Sequence, residues 1–277
     1  MYELIRPLLF KLDPEQAHNL TFRMLTSTGG LPKTAAGTLF GPVTPKLATT
    51  VGRVKVAGPV GLAAGLDKNA EATAFWPSIG FGFVEVGTVT AKAQPGNPKP
   101  RLFRFPKHEA IVNRMGFNNE GASHMAQRLR ATRKKWNSPA AVGVNLGKSK
   151  VTPLDKAVED YVESTRQLVE FADYLVINVS SPNTPGLREL QDEGALREII
   201  QGVSEVATGV PIFVKLAPDL ENEALDALVR VAQEENLEGL IATNTTIDHK
   251  GIADVGPGGL SGRPLAERSR EDVGCRT

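Results

Sequence analysis

The chain predicts an α/β fold, a parallel (β/α)8 TIM barrel, on three observations. First, six short apolar runs each end in polar residues that can bind or react. They are Val60-Gly61-Leu62-Ala63-Ala64-Gly65-Leu66-Asp67-Lys68, Phe83-Val84-Glu85-Val86-Gly87-Thr88, Val142-Gly143-Val144-Asn145, Leu175-Val176-Ile177-Asn178-Val179-Ser180-Ser181, Ile212-Phe213-Val214-Lys215 and Leu240-Ile241-Ala242-Thr243-Asn244. Second, the segments between them carry a helical period. Third, the reactive residue types stand at the C-terminal ends of the runs, where such barrels keep their active sites. A closed barrel has about eight such units. Six are legible here, so the expected architecture lacks the last two βα units. An N-terminal two-helix extension precedes it. The expected division is residues 1–45 for the helical pair and its linker, and 46–277 for the incomplete barrel.

Residues 1–30 read as two short amphipathic helices. The first carries Leu4, Ile5, Leu8, Leu9 and Phe10. Asp13-Pro14-Glu15 supplies an N-cap, a proline at the first helical position and an acid in the first turn. The second helix carries Ala17, Leu20, Met24 and Leu25, and Gly29-Gly30 ends it. Such a pair either packs on the main domain or lays its apolar face into a membrane surface. Its charges balance (Arg6, Lys11 and Arg23 against Glu3, Asp13 and Glu15), so electrostatic docking by this piece alone is weak.

A Pro/Gly/Thr-rich linker follows from Leu31 to Pro45. Strands at Leu47–Thr50 and Val54–Ala57 predict a hairpin about Gly52-Arg53 at the bottom of the barrel. Helices are predicted at 70–79, 119–135, 155–171, 192–207 and 221–235. Asp192-Glu193 and Asp219-Leu220-Glu221 put acids at helix starts, as the helix dipole prefers. Ala91 to Asn118 is too long for an ordinary βα loop and is rich in Pro and Arg. It is expected to build part of the site.

Composition narrows the function classes. The 277 residues are 41% hydrophobic and 23% charged, ordinary for a globular enzyme. A net charge of +1 gives no global field for nucleic acid. Lys92 to Lys135 is nevertheless basic, with eleven Lys or Arg against Glu109 and Glu120. That stretch is either a solvated surface or an attractor for an anionic ligand or membrane. The single cysteine, Cys275, allows neither an intrachain disulfide nor a cysteine-based metal site. His18, His108, His124 and His249 show no paired spacing, so no metal is expected. No apolar run reaches the length of a membrane span, and the first residues lack a secretory signal. Gly29-Gly30 and Gly258-Gly259 do not follow a strand in the frame of a dinucleotide fingerprint.

The strand ends and their neighbours carry amides, lysines and serines. Asn145, Asn178 and Asn244 end strands, Asn183 follows one, and Asn113 lies in the inserted segment. A carboxamide matches a ring that displays adjacent N–H and C=O groups, such as a pyrimidine or a flavin. A lone strand-end Asn is usually a turn former, but several would converge on one barrel mouth. Lys68 and Lys215 either pair with a strand-end acid such as Asp67 or Glu85, or face a carboxylate, a phosphate or a reduced flavin. A Schiff-base lysine is the rival chemistry. Ser180-Ser181-Pro182-Asn183-Thr184-Pro185-Gly186 is a stiff loop with no histidine nearby in sequence. A serine acting there is a general base or proton relay, not an acyl nucleophile.

These residues resemble the dihydroorotate dehydrogenase family, in its membrane-associated, quinone-using class. The resemblance runs from Met1 to about Ser269. It rests on the order and spacing of Gly61–Lys68, Glu85–Thr90, Gln94–Pro98, Pro100–Arg104, Asn113–Asn118, Ile177–Thr184, Ala242–Thr246 and Gly258–Gly262. It implies an FMN enzyme that oxidises dihydroorotate to orotate in pyrimidine biosynthesis, with quinone accepting the electrons. By resemblance, Ala64, Gly65, Leu66, Asp67, Lys68, Thr88, Asn145, Asn178, Lys215, Thr243 and Gly262 contact FMN. Lys68, Asn113, Arg114, Met115, Gly116, Phe117, Asn178, Asn183, Asn244 and Thr245 contact substrate. Ser181 takes the C5 proton while hydride leaves C6 for the flavin. His18 and Arg104 match positions lining the family's quinone tunnel. Serine at position 181 rather than cysteine, together with the helical pair, points to the quinone class. The expected location is peripheral, on the cytoplasmic face of the cell membrane.

After Ser269 the family continues through two more βα units. Here the sequence reads Arg270-Glu271-Asp272-Val273-Gly274-Cys275-Arg276-Thr277, without the apolar period of the expected helix. It reads as a frameshifted or truncated ending, and phosphate sites of such barrels often lie on the loops after strands seven and eight. Two alternatives to the dehydrogenase therefore stand. One is an inactive barrel fragment that survives by self-association. The other is a lysine-dependent aldolase or isomerase barrel.

Overall fold

The computed structural model describes residues 2–26, 37–38, 41, 43–249 and 251–274. The Gly29-Gly30 stop, most of the linker from Leu31 to Pro45, Cys275 and the side chains of Leu4 and Ile5 lie outside the described set.

The N-terminal pair forms as α1 (Tyr2–Leu9) and α2 (Pro14–Thr26). Asp13 caps α2 as expected: its Oδ1 accepts from the Glu15 and Gln16 amides at 2.9 and 3.1 Å. The face that α2 buries matches the expected one in part, through Ala17 and the partly buried Leu25. Ala17 and Phe22 are buried, whereas Leu20 and Met24 are 40% and 62% exposed. Phe22 sets this face, because its ring packs 6.0 Å from Trp76 and 4.5 Å from His18.

Strands follow in chain order: β1 (Thr49–Val51), β2 (Val54–Val56), β3 (Gly61–Leu62), β4 (Phe83–Val89), β5 (Leu102–Phe105), β6 (Ala110–Asn113), β7 (Ala141–Leu146), β8 (Tyr174–Asn178), β9 (Ile212–Lys215), β10 (Gly239–Ile241) and β11 (Gly259–Gly262). Six of them make one all-parallel sheet, ordered β10-β9-β8-β7-β4-β3. Strands β4, β7, β8 and β9 are almost wholly buried, as the near-continuous apolar runs of a two-side-covered parallel sheet require. The register sets Asn178 opposite Lys215 and Gly87 opposite Asn145, so polar strand ends share one level.

Helices α3 (Ala122–Arg133), α4 (Ala157–Leu168), α5 (Glu193–Val206) and α6 (Asn222–Glu234) connect these strands close to the predicted limits. Each buries one stripe; α5 does so with Leu196, Ile199, Ile200 and Val203. Asp192 caps α5 through its Oδ1 and the Gly194 amide at 3.1 Å.

The predicted helix at 70–79 is not formed. Turns run from 64 to 75, and only Trp76–Ile79 coil into a 3-10 turn. The buried Asp67 carboxylate explains this. It accepts from the Glu71 and Ala72 amides at 2.8 and 3.0 Å and from Trp76 Nε1 at 3.1 Å, and Ala70 adopts φ +57. Side-chain capture of the backbone thus replaces the helical ladder. Two smaller corrections concern the hairpin and α6. Pro45–Leu47 is a 3-10 turn, so β1 starts at Thr49. Asp219 does not serve the start of α6; it accepts from Thr246 Oγ1 and pairs with Arg188 Nη1 at 2.9 Å.

The inserted segment contributes β5 and β6 to an antiparallel sheet of order β11-β6-β5, in which Leu260 of β11 pairs with Val112. The tail also departs from expectation, since Ala266–Gly274 is helical (α7). Arg268 anchors it by donating to the carbonyls of Pro218 at 3.1 Å and Leu220 at 2.8 Å.

Two cores sandwich the parallel sheet. The larger lies between strands and helices. The smaller joins Val54 and Val56 of the hairpin to Ala141, Tyr174, Val176 and Phe213, placing the hairpin over the N-terminal ends of β7–β9. Residues of both edge strands, Gly61 and Leu240 with Ile241, line one apolar cavity of about 290 Å³. The sheet therefore curls until its edges face across a common interior.

Candidate active site

A cavity of about 530 Å³ opens at the C-terminal ends of the parallel strands. Of the residues singled out in the sequence, it gathers Ala64, Gly65, Leu66, Lys68, Thr88, Asn113, Met115, Gly116, Phe117, Asn178, Ser181, Asn183, Lys215, Thr243, Asn244, Thr245 and His18 in one wall. Distant turns of the sequence converge here because parallel strands all point their ends the same way.

Beneath the cavity runs a buried amide network. Asn145 Nδ2 donates to Glu85 Oε1 at 2.8 Å, and Thr88 Oγ1 donates to Asn145 Oδ1 at 2.5 Å. Asn178 Nδ2 reaches Thr88 Oγ1 at 2.9 Å and Asn145 Oδ1 at 3.1 Å. Asn178 Oδ1 in turn accepts from Ser180 Oγ at 3.0 Å and Asn244 Nδ2 at 3.3 Å. The network fixes the amide orientations, and of its members Thr88, Asn178 and Asn244 line the cavity above it.

The two lysines stay unpaired. Among the described residues, neither Lys68 nor Lys215 makes an ion pair or hydrogen bond. The expected structural partners are engaged elsewhere: Asp67 holds the 71–76 turn, and Glu85 holds Asn145. Burial, reinforced by the positive charge of Arg101, lowers the Lys68 ammonium pKa to about 8. Burial also lowers the His18 imidazole, with the Lys68 charge a second cause. Asp67 is shifted the other way, raised by burial.

Ser181 is buried and its Oγ accepts from the Asn183 amide at 3.3 Å. Asn183 Nδ2 reaches back to Asn113 O at 3.1 Å and Oδ1 at 3.3 Å, which joins the serine loop to the inserted segment.

Five singled-out residues do not line the cavity. Asp67 and Asn145 lie behind it in the contacts just described. Arg114 turns outward to the carbonyls of Val255 and Pro257 and covers the Phe103 ring. Gly262, at φ +100, lies where β11 pairs with β6. Arg104 is spent on the carbonyls of Leu9 and Leu12 and on the Phe10 ring, where it ties α1 to β5.

The cavity also recruits Glu15, Leu102, Ile111, Ser261 and Leu265, which sequence reasoning did not single out. Glu15 is the most consequential. It is buried and bidentate to Arg101 at 2.7 and 3.0 Å, with Lys99 at 3.2 Å. The hydrogen bonds from Arg101 hold its carboxyl below the usual range. The acid reads in sequence as a first-turn helix residue, and only the partner 86 residues away reveals it. A second cavity of about 410 Å³ shares Glu15, His18, Leu66, Lys68 and Met115 with the first and reaches α2. The described residues contain no group of three or more His, Cys, Asp or Glu that could hold a metal ion.

Comparison with known proteins agrees with this layout. Residues 46–274 match the family profile described as Dihydroorotate dehydrogenase. A protein named Dihydroorotate dehydrogenase (quinone) from Mycobacterium sp. (strain KMS) is 50% identical, over 98% of this chain and 76% of the relative. The protein of the same name from Gloeobacter violaceus is 50% identical, over 99% of this chain and 78% of the relative. The crystal structure of DHODH from Eimeria tenella in complex with ferulenol superposes with a TM-score of 0.81 at 40% identity, covering 94% of this chain and 75% of that one. With a family profile matched over residues 46–274 and relatives 50% identical over nearly the whole chain, the chain belongs to the dihydroorotate dehydrogenase family.

Proposed function

We propose that the chain oxidises dihydroorotate to orotate on bound FMN and passes the electrons to quinone, as part of pyrimidine biosynthesis. The observation that carries this reading is the meeting of two unpaired lysines, four amides and Ser181 in one cavity. The parallel sheet is then the six-stranded arc of a (β/α)8 barrel, with its site on the expected face. Residues 46–277 form the flavin-binding unit, and 1–45 the quinone and membrane side.

FMN fits the residues present. Thr243 Oγ1 is a buried cavity-wall hydroxyl without a protein partner, the kind of group a ligand satisfies. Gly65, at φ +109, leaves open space where any other residue would project a Cβ. Ala64, Gly65, Thr88, Asn178, Lys215 and Thr243 would hold the group. Once bound, FMN supplies the acceptor for the substrate's hydride. Lys215 offers a cation to charge that develops there. Lys68 pairs with the substrate carboxylate, and Asn113, Asn178, Asn183 and Asn244 read the ring's imide edges. Ser181 Oγ receives the C5 proton and passes its own hydroxyl proton to water at the open end of the cavity, its oxygen oriented by the hydrogen bond from the Asn183 backbone N–H.

The quinone side follows from the second cavity, which leads from Lys68 past His18 to α2. The outer faces of this pair and its connection expose Leu8, Phe10, Leu12, Leu20 and Met24, a surface suited to peripheral docking on a membrane. No helix among the described residues is long and apolar enough to cross one.

The test is the visible spectrum of the purified chain with FMN. Anaerobic dihydroorotate should bleach the flavin band and quinone restore it, and Ser181→Ala should slow bleaching at least about 100-fold while FMN stays bound. A chain that takes up no FMN sinks the reading; unchanged bleaching in the variant removes Ser181 from the mechanism. The depressed Lys68 favours one rival, a Schiff-base lysine enzyme. Borohydride trapping of a carbonyl substrate on Lys68 would favour that rival.

A further inference from the structure

Two chain segments each bring one of the substrate amides from outside the parallel strands, 113–117 with Asn113 from the inserted segment and 181–184 with Asn183 from the loop after β8. Their direct polar link is the Asn183 side chain on Asn113, at 3.1 and 3.3 Å. One point of contact lets two segments pivot about it. A second is made by Asn97, which has no place in the chemistry above. Its Nδ2 donates to the carbonyl of Arg114 at 3.1 Å and to that of Asn183 at 3.0 Å, one hydrogen for each segment. Its backbone is also fixed: the Asn97 amide donates to Met115 O at 3.0 Å, and its carbonyl accepts from Arg101 Nη1 at 2.8 Å. Gly116, at φ +70, is what admits the amide, since a Cβ there would stand 2.7 Å from Asn97 Nδ2.

We propose that Asn97 is the positioning residue that sets the spacing of the two substrate-binding segments. The proposal rests on the reading of 113–117 and 181–184 as substrate-binding. Asn97 holds the carbonyl of Asn183, and the backbone N–H of the same residue donates to Ser181 Oγ, so spacing and serine orientation meet at one residue. Arg101 continues the brace to Glu15, which links the segments to α2.

Asn97→Ala and Asn97→Asp both remove the two donors, and the aspartate additionally turns an anion toward two carbonyl oxygens. Hydrogen exchange and orotate titration of the full chain, compared with both variants, decide the matter. Amides in both segments should exchange faster, β7 and β8 should keep their protection, and orotate should bind on the order of tenfold more weakly. Unchanged exchange in either segment overturns the proposal. Lost protection across the parallel sheet also overturns it, because Asn97 would then serve the fold. Unchanged orotate affinity in the variants overturns it equally. A parent chain that binds no orotate sinks the dihydroorotate reading instead, and the exchange comparison still decides whether Asn97 spaces the segments.

Discussion

Lys68 ends its run half-buried, unpaired and with its ammonium shifted down to about 8 by burial. The shift has a direct consequence for anion binding. Below pH 8 the amine is charged and ready for a carboxylate. Above it, the neutral amine must first take up a proton, so affinity falls about tenfold per pH unit. Orotate affinity should therefore be flat below about pH 7 and decline above 8. Lys68→Gln should bind more weakly and lose that decline. A parent profile flat to pH 9.5 in a titration series would remove Lys68 from carboxylate recognition. The same residue shows why neighbouring acids matter: Asp67 adjoins it in sequence, yet its oxygens serve the 71–76 turn.

At the scale of elements, α2 is attached by Phe22 packing and by the buried Glu15–Arg101 pair. Removing one member leaves a buried guanidinium without its counter-ion, worth roughly 3 kcal/mol or more. Glu15→Ala should thus speed hydrogen exchange across Pro14–Thr26 while α4 and α5 keep their protection. Equal exchange in parent and variant would show that Phe22 alone holds the helix. The pH dependence has a definite sign. The folded pKa of Glu15 lies below its ordinary value of 4.5, so its contribution is present above 4.5 and is lost as pH falls through the folded value. Release of α2 in acid should precede loss of the parallel sheet.

For the whole molecule, β3 and β10 are the edges of the parallel sheet among the described residues, and they flank an apolar interior. Tyr174 OH is buried beside that interior without a partner. Open edges with unsatisfied backbone groups favour pairing between chains. Light scattering should show concentration-dependent association, and Leu240→Lys, at the β10 edge, should reduce it. A monodisperse parent at all concentrations would show that the edges are protected in solution.

The strand runs, the four connecting helices and the caps at Asp13 and Asp192 were legible because each is local: a hydrophobic period or a capping side chain a few residues away specifies it. The cavity residues were largely legible for a related reason, since parallel connections bring every strand end to one face. What stayed hidden depends on partners far along the chain. The turn at 70–75 has helical residues, but the buried Asp67 carboxylate and Trp76 draw the backbone away. Strand β11 exists because Leu260 meets Val112, and Glu15 is buried because Arg101 meets it. Arg114 and Arg104 sit in matching motifs yet turn to carbonyls that only the folded chain supplies. By itself the sequence determined where the strands end and which chemistry stands there. The tertiary structure decided which polar groups are taken by one another and which remain free for a ligand, because hydrogen-bond partners are chosen by proximity in space.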